Sequence, residues 1–80
     1  MNIKIIGYNT DKCIILQKRV LEAVSKIDDR VTIVLVNRSD EINKYQLKRY
    51  PGLIINETLA TEGKVISTKE IIKILKNRRW

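Results

Sequence analysis

Histidine and phenylalanine are absent from this 80-residue chain, and cysteine, proline, methionine and tryptophan occur once each. Without histidine the chain lacks the commonest general base, the usual partner of a nucleophilic serine or cysteine, and a ligand of most zinc sites. A single cysteine, Cys13, excludes an internal disulfide and a four-cysteine metal site within one chain. Neither a metal site nor a bound cofactor is expected. Long apolar runs are missing too. The longest, Cys13–Leu16 and Ile33–Val36, are four residues each, far short of the roughly 20 that a spanning helix needs. The opening Met1-Asn2-Ile3-Lys4 reaches Gly7 too soon for a signal peptide, so a cytoplasmic setting without membrane attachment is expected.

What the chain has in quantity is aliphatic and basic. Apolar types make up 44%, and Ile, Leu and Val alone supply 27 residues. Such a chain folds rather than remaining a solvated tail. The length allows one domain, expected to span 1–80 with 76–80 as a frayed basic tail. A domain this small buries only about 60% of its unfolded surface, which leaves little room to enclose a deep substrate pocket. The net charge of +7 rises toward the C-terminal half. Residues 1–40 hold 7 basic and 5 acidic side chains, and residues 41–80 hold 9 and 4. A basic excess suits nucleic acid, but charges spread along an Ile/Lys-rich chain serve first as a solubilising surface. Nucleic-acid binding is therefore the least favoured function for this chain.

The pattern along the chain alternates strand and helix. Ile3, Ile5 and Ile6 before Gly7 form a short buried strand. Asn9-Thr10-Asp11 offers three helix-capping residues in succession. Cys13, Leu16, Val20, Val24 and Ile27 then recur at helical spacing, with Ile14 and Leu21 widening the same stripe, predicting an amphipathic helix over about 11–27 that Asp28-Asp29 closes. Val31–Val36 is β-branched and nearly all apolar, the composition of a strand covered on both faces at the centre of a sheet. Asn37 or Ser39 can cap a short second helix through Ile42, Tyr45 and Gln46, which Pro51 ends. Leu53–Ile55, a turn at Asn56-Glu57 and Thr58–Thr61 predict a hairpin. Ser67-Thr68-Lys69-Glu70 is a capping box opening a last helix through Ile71, Ile72, Ile74 and Leu75. The order is βαβαββα. With the first βαβ unit parallel and right-handed, the chain is an α/β protein with a four-stranded mixed sheet and helices on both faces, the thioredoxin architecture at its smallest. Three turns then meet at one end of the sheet: Gly7–Cys13, Tyr50-Pro51 and Gly63-Lys64.

These features resemble the small thioredoxin-like, glutaredoxin-sized redox-active disulfide proteins of bacteria and archaea, over residues 3–75. That family's pattern is a strand, a glycine and a Cys-x-x-Cys turn. Gly7 matches the glycine, Cys13 matches the second cysteine, and Thr10 stands where the first belongs. Glu41-Ile42 and Tyr45 are similar to the family's second helix. Tyr50-Pro51-Gly52-Leu53-Ile54-Ile55 is similar to its proline-initiated strand, which implies a cis Tyr50–Pro51 bond. Gly63-Lys64-Val65 and Ser67 resemble the approach to the final helix. The resemblance implies a site made of Cys13 and Thr10, with Tyr8, Asp11, Lys12, Tyr50, Pro51, Gly63 and Lys64 around a bound partner.

Thr10 alters the chemistry. In the family the first cysteine attacks and the second resolves, whereas a hydroxyl without a neighbouring base does not replace a thiolate. One chain cannot perform Cys-x-x-Cys exchange. With Thr10 as N-cap, Cys13 occupies the third helical position, where the helix dipole and Lys12 favour a thiolate while Asp11 and burial oppose it. Two functions follow as expectations. One is single-thiol chemistry, a mixed disulfide between Cys13 and a protein or glutathione-like thiol. The other is a non-catalytic module that binds an extended peptide along the Tyr50-Pro51 edge, with Tyr8 and Tyr50 as an aromatic floor. Lys44, Lys48 and Arg49 could hold a carboxylate there, though a solvated helix face is the simpler account of them.

Overall fold

The structure, a computed structural model, describes residues 1–27 and 30–78. Strand β1 (Asn2–Ile6) leads into helix α1 (Asp11–Ser25) and strand β2 (Thr32–Val36). A single helical turn, α2 (Ser39–Ile42), continues as a 3₁₀ turn over Asn43–Tyr45. Strands β3 (Gly52–Ile55) and β4 (Thr58–Glu62) form a hairpin, and helix α3 (Thr68–Asn77) follows. The sheet order is β2-β1-β3-β4, with β1 parallel to β2 and antiparallel to β3, and β3 antiparallel to β4. This is the thioredoxin-like α/β fold.

The sheet's two faces are covered unequally. On one, Ile3, Ile5, Leu53 and Ile55 pack with Cys13, Leu16, Val20 and Ala23 of α1 and Ile71 and Leu75 of α3. On the other, Ile6, Val36 and Ile54 meet Ile42, with Tyr45, Leu47 and Tyr50 around them. One short turn of helix covers only that end of the face. At the uncovered end Lys4 stands among the strands, its ammonium 3.2 Å from the Glu57 carboxylate and 5.9 Å from the Tyr45 ring centroid. The hydrogen bond that Lys4 donates to the Glu57 carboxylate raises the Lys4 pKa above its ordinary value. The stabilisation that this raised pKa reports is present at neutral pH and is lost as pH rises through the lysine range.

The ends of the elements depart from the sequence pattern in instructive places. Helix α1 stops at Ser25, because the Lys26 N–H turns back to Ala23 O and Val24 O; the closure expected at Asp28-Asp29 lies outside the described residues. Strand β2 is not central. It forms the sheet edge, with Val34 39% and Leu35 46% exposed, and the doubly buried strand is β3, all four of whose residues are buried. Neither Asn37 nor Ser39 caps α2. Arg38 holds that position without a side-chain bond, and Gln46 closes the 3₁₀ turn in a left-handed conformation at φ 51°. Helix α3 runs through Asn77, so Lys76 and Asn77 are helical rather than part of a tail, while 79–80 lie outside the described residues.

Two local signals act where the pattern put them. Asn56 and Glu57 take φ values of 49° and 66°, the paired left-handed geometry of a two-residue hairpin. Ser67 Oγ accepts from Glu70 N–H at 3.2 Å. Ser67→Ala should cost about 1 kcal/mol by loss of that cap, measured as a lower urea midpoint at unchanged slope.

Candidate functional site

The site grows from the C-terminal end of β1. Gly7 continues the ladder by donating to Val36 O at 3.0 Å, and the chain then turns so that Thr10 N–H meets Tyr8 O at 2.7 Å. Thr10 is extended (φ −105°, ψ 165°), and its Oγ1 accepts from the Cys13 N–H at 3.4 Å. The third of the three adjacent candidates for the cap, Asp11, is instead the first residue of α1. Thr10 is exposed, whereas Cys13 is 2% exposed. The hydroxyl thus faces solvent and the sulfur is turned into the core.

Gly7 has a steric reason. A Cβ there would lie 3.3 Å from Cys13 Sγ and 3.5 Å from both Pro51 Cα and Cβ. The bare backbone of residue 7 is therefore the wall between sulfur and proline, and it lets both close in. The Tyr50–Pro51 bond is cis. Tyr8, 42% exposed, meets Tyr50 edge to face, with centroids 5.5 Å apart and planes at 77°. From the far side, Gly63 N–H donates to Pro51 O at 2.9 Å. Gly63 has φ 73°, and its missing Cβ would fall 2.6 Å from Arg49 Cβ, so the arginine stem lies over the glycine.

The structure thus brings Gly7, Tyr8, Thr10, Cys13, Tyr50, Pro51 and Gly63 to one end of the sheet. Asp11, Lys12 and Lys64 are exposed, and among the described residues they form no ion pair. Lys44, Lys48 and Arg49 are exposed as well, but only Arg49 packs against the site. Two contributors are absent from the sequence reading. Gln17 directs its side-chain amide to Cys13 Sγ at 3.6 Å; its position four residues along the same helix was the available signal. The Glu62 carboxylate accepts from the Lys48 N–H at 2.6 Å and ties the segment before Pro51 to β4, a long-range contact that no spacing announces. Among the described residues, no three His, Cys, Asp or Glu side chains gather as a metal site, and no helix is long and apolar enough to cross a membrane.

A buried sulfur behind a threonine-capped helix, facing a proline-initiated strand across a glycine, is the arrangement that this thioredoxin-like fold assembles at one end of its sheet. The comparisons agree on the class. Residues 1–76 match the thioredoxin domain family, and the chain belongs to that family. It is 33% identical over 75 residues, 94% of this chain and 97% of the other, to a protein named thioredoxin from Methanothermobacter thermautotrophicus strain Delta H. No solved structure matches it significantly.

Proposed function

We propose that this protein keeps the partner-docking surface of the thioredoxin family while lacking dithiol exchange, and that it binds an extended polypeptide along the Tyr50-Pro51 edge. The observation that carries this is the inversion at the helix tip: the exposed position holds the Thr10 hydroxyl, and the one sulfur is 2% exposed behind it. An alcohol with no neighbouring base does not attack a disulfide. The docking edge, by contrast, is equipped. Among the described residues neither the N–H nor the C=O of Tyr50 has a backbone partner, so both are available to an added strand. The Tyr8–Tyr50 pair supplies apolar area beside them at low entropic cost. A lone unpaired cysteine suits a reducing, cytoplasmic compartment.

The test is a peptide array of extended sequences probed with the wild type, Cys13→Ser and Tyr50→Ala. Docking predicts retention by Cys13→Ser and roughly tenfold weaker binding by Tyr50→Ala, the loss typical of an aromatic anchor. Absence of wild-type binding, or equal binding by Tyr50→Ala, overturns it.

A second reading has its own support: the Sγ abuts the Gly7–Pro51 wall of the same groove, and the Gln17 amide addresses it. In this reading the Cys13 thiolate attacks a disulfide such as oxidised glutathione, forms one mixed disulfide and releases one thiol. A mass increase of one glutathione, reversed by reductant and absent from Cys13→Ser, is its expected signature. An unmodified wild type after prolonged exposure removes it.

A further inference from the structure

We infer that β2 is a self-association edge, and that two copies of this chain pair through it, antiparallel about Val34, to make one continuous eight-stranded sheet. The starting point is the backbone. Thr32 N–H donates to Met1 O, and Val36 C=O accepts from Gly7 N–H. With β1 and β2 in parallel register, Thr32, Val34 and Val36 turn their polar groups toward β1, so Ile33 and Leu35 direct theirs outward. No described strand pairs with that side.

Edge strands are ordinarily blunted by charge, proline or a bulge. The other edge, β4, is blunted: its register with β3 breaks between Leu53 and Ile54, and it ends in Glu62. Strand β2 has none of these devices. Residues 31–37 carry no charge and no proline, and the register with β1 is unbroken. Its exposed apolar groups lie on both faces of the sheet. Val34 is on the α2 face, and Leu35 is on the α1 face. Leu21, 59% exposed, adds to the second group. Arg19 of the same helix donates to Val65 O and Ile66 O on the α3 side, and two residues further on is about 200° around the helix, the β2 side.

A second copy fits this edge because the edge complements itself. Inverted about Val34, Ile33 faces Leu35 of the second copy and Leu35 faces its Ile33. Each pair exchanges two N–H···O=C bonds, and Val34 meets its own image on the opposite face. Both apolar faces are covered at once, which a strand of alternating polarity would not do. An acidic partner, the one that a net charge of +7 would attract, finds no charge within residues 31–37 to recognise. Within residues 30–38 the like-charged encounter is Arg30 against Arg38 of the second copy, and Arg38 already lies 3.5 Å from Asp40. A joint of one strand and a few side chains is small, below about 1,200 Å², so the dimer is weak and reversible.

Sedimentation and amide exchange between about 10 µM and about 1 mM protein test this. The wild type should dimerise over that range, with the Ile33 and Leu35 amides gaining roughly tenfold protection as dimer forms. Raising salt from about 50 to about 500 mM should strengthen association by screening two like-charged copies. Leu35→Lys should raise the dissociation constant at least about tenfold, whereas Leu59→Lys, the same change at the 43% exposed residue of the other edge, should alter it less than about threefold. A chain that stays monomeric at the highest concentration overturns the inference. So does a dimer in which the Ile33 and Leu35 amides stay unprotected, or in which Leu59→Lys is as damaging as Leu35→Lys.

Discussion

Thr10→Cys should give this protein a disulfide that it does not have, closing on Cys13 and opening with dithiothreitol. The wild-type pair already spans one turn of helix, with the Thr10 side chain within 3.4 Å of the Cys13 backbone N–H. The replacement sulfur would occupy an exposed position at the helix N-terminus, where the dipole and the free N–H groups favour a thiolate. The change bears on the missing chemical step, because the glycine wall and Pro51 remain and only the Thr10 hydroxyl, with its cap bond to the Cys13 N–H, is exchanged for sulfur. Reduction of a model disulfide substrate should rise from background by at least about a hundredfold, as expected when a nucleophile is restored to a site that otherwise only positions. Thiol titration reports the same event: two thiols in the reduced variant, none after oxidation, one throughout in the wild type. Two persistently free thiols would mean that this turn does not hold residues 10 and 13 in disulfide geometry.

The second large effect is on stability. Leu16→Ala should cost about 2–5 kcal/mol, because Leu16 is fully buried in the larger core between α1 and the sheet. Small domains have net stabilities near the lower end of about 5–15 kcal/mol, so the loss approaches the whole margin. Thermal unfolding should fall by roughly 8–40 °C, at about 4–8 °C per kcal/mol for a chain of this size. Leu21→Ala, at a residue 59% exposed on the same helix, should stay within about 0.5 kcal/mol. Equal destabilisation by the two would contradict the assignment of the helix's buried face.

Much of this fold is legible in the sequence because its elements are announced locally. The stripe from Cys13 through Val20, the Thr10 and Ser67 caps and the Asn56-Glu57 turn are each decided by a few neighbouring residues, and each is realised. Leu21, read as widening that stripe, is instead 59% exposed, and Ile27 falls beyond the helix end. The errors occur where the outcome depends on what lies alongside. Residues 31–36 have the composition of a doubly covered strand, yet composition does not say how many neighbours a strand has; β1 takes the centre because β3 returns against it. The burial of Cys13 is not legible for the same reason, since dipole and solvation arguments do not locate the sulfur until Gly7 and Pro51 are in place. The contact of Arg49 with Gly63 joins residues 14 apart that flank the β3–β4 hairpin, outside the alternation of either strand, so no pattern could expose it.

The break in register between β3 and β4 has a consequence for the site itself. Leu53 is opposite Thr61 and Ile54 is opposite Leu59, leaving Ala60 as a supernumerary residue. That one residue sets the phase of everything downstream. It brings the Glu62 carboxylate to the Lys48 amide and the Gly63 amide to the Pro51 carbonyl. In a regular ladder without this offset, Ala60 would oppose Leu53 and Thr61 would oppose Gly52, carrying Glu62 and Gly63 one position past their partners. The rim of the groove is thus timed by a residue that never touches it, as the pitch of a screw sets where its head comes to rest.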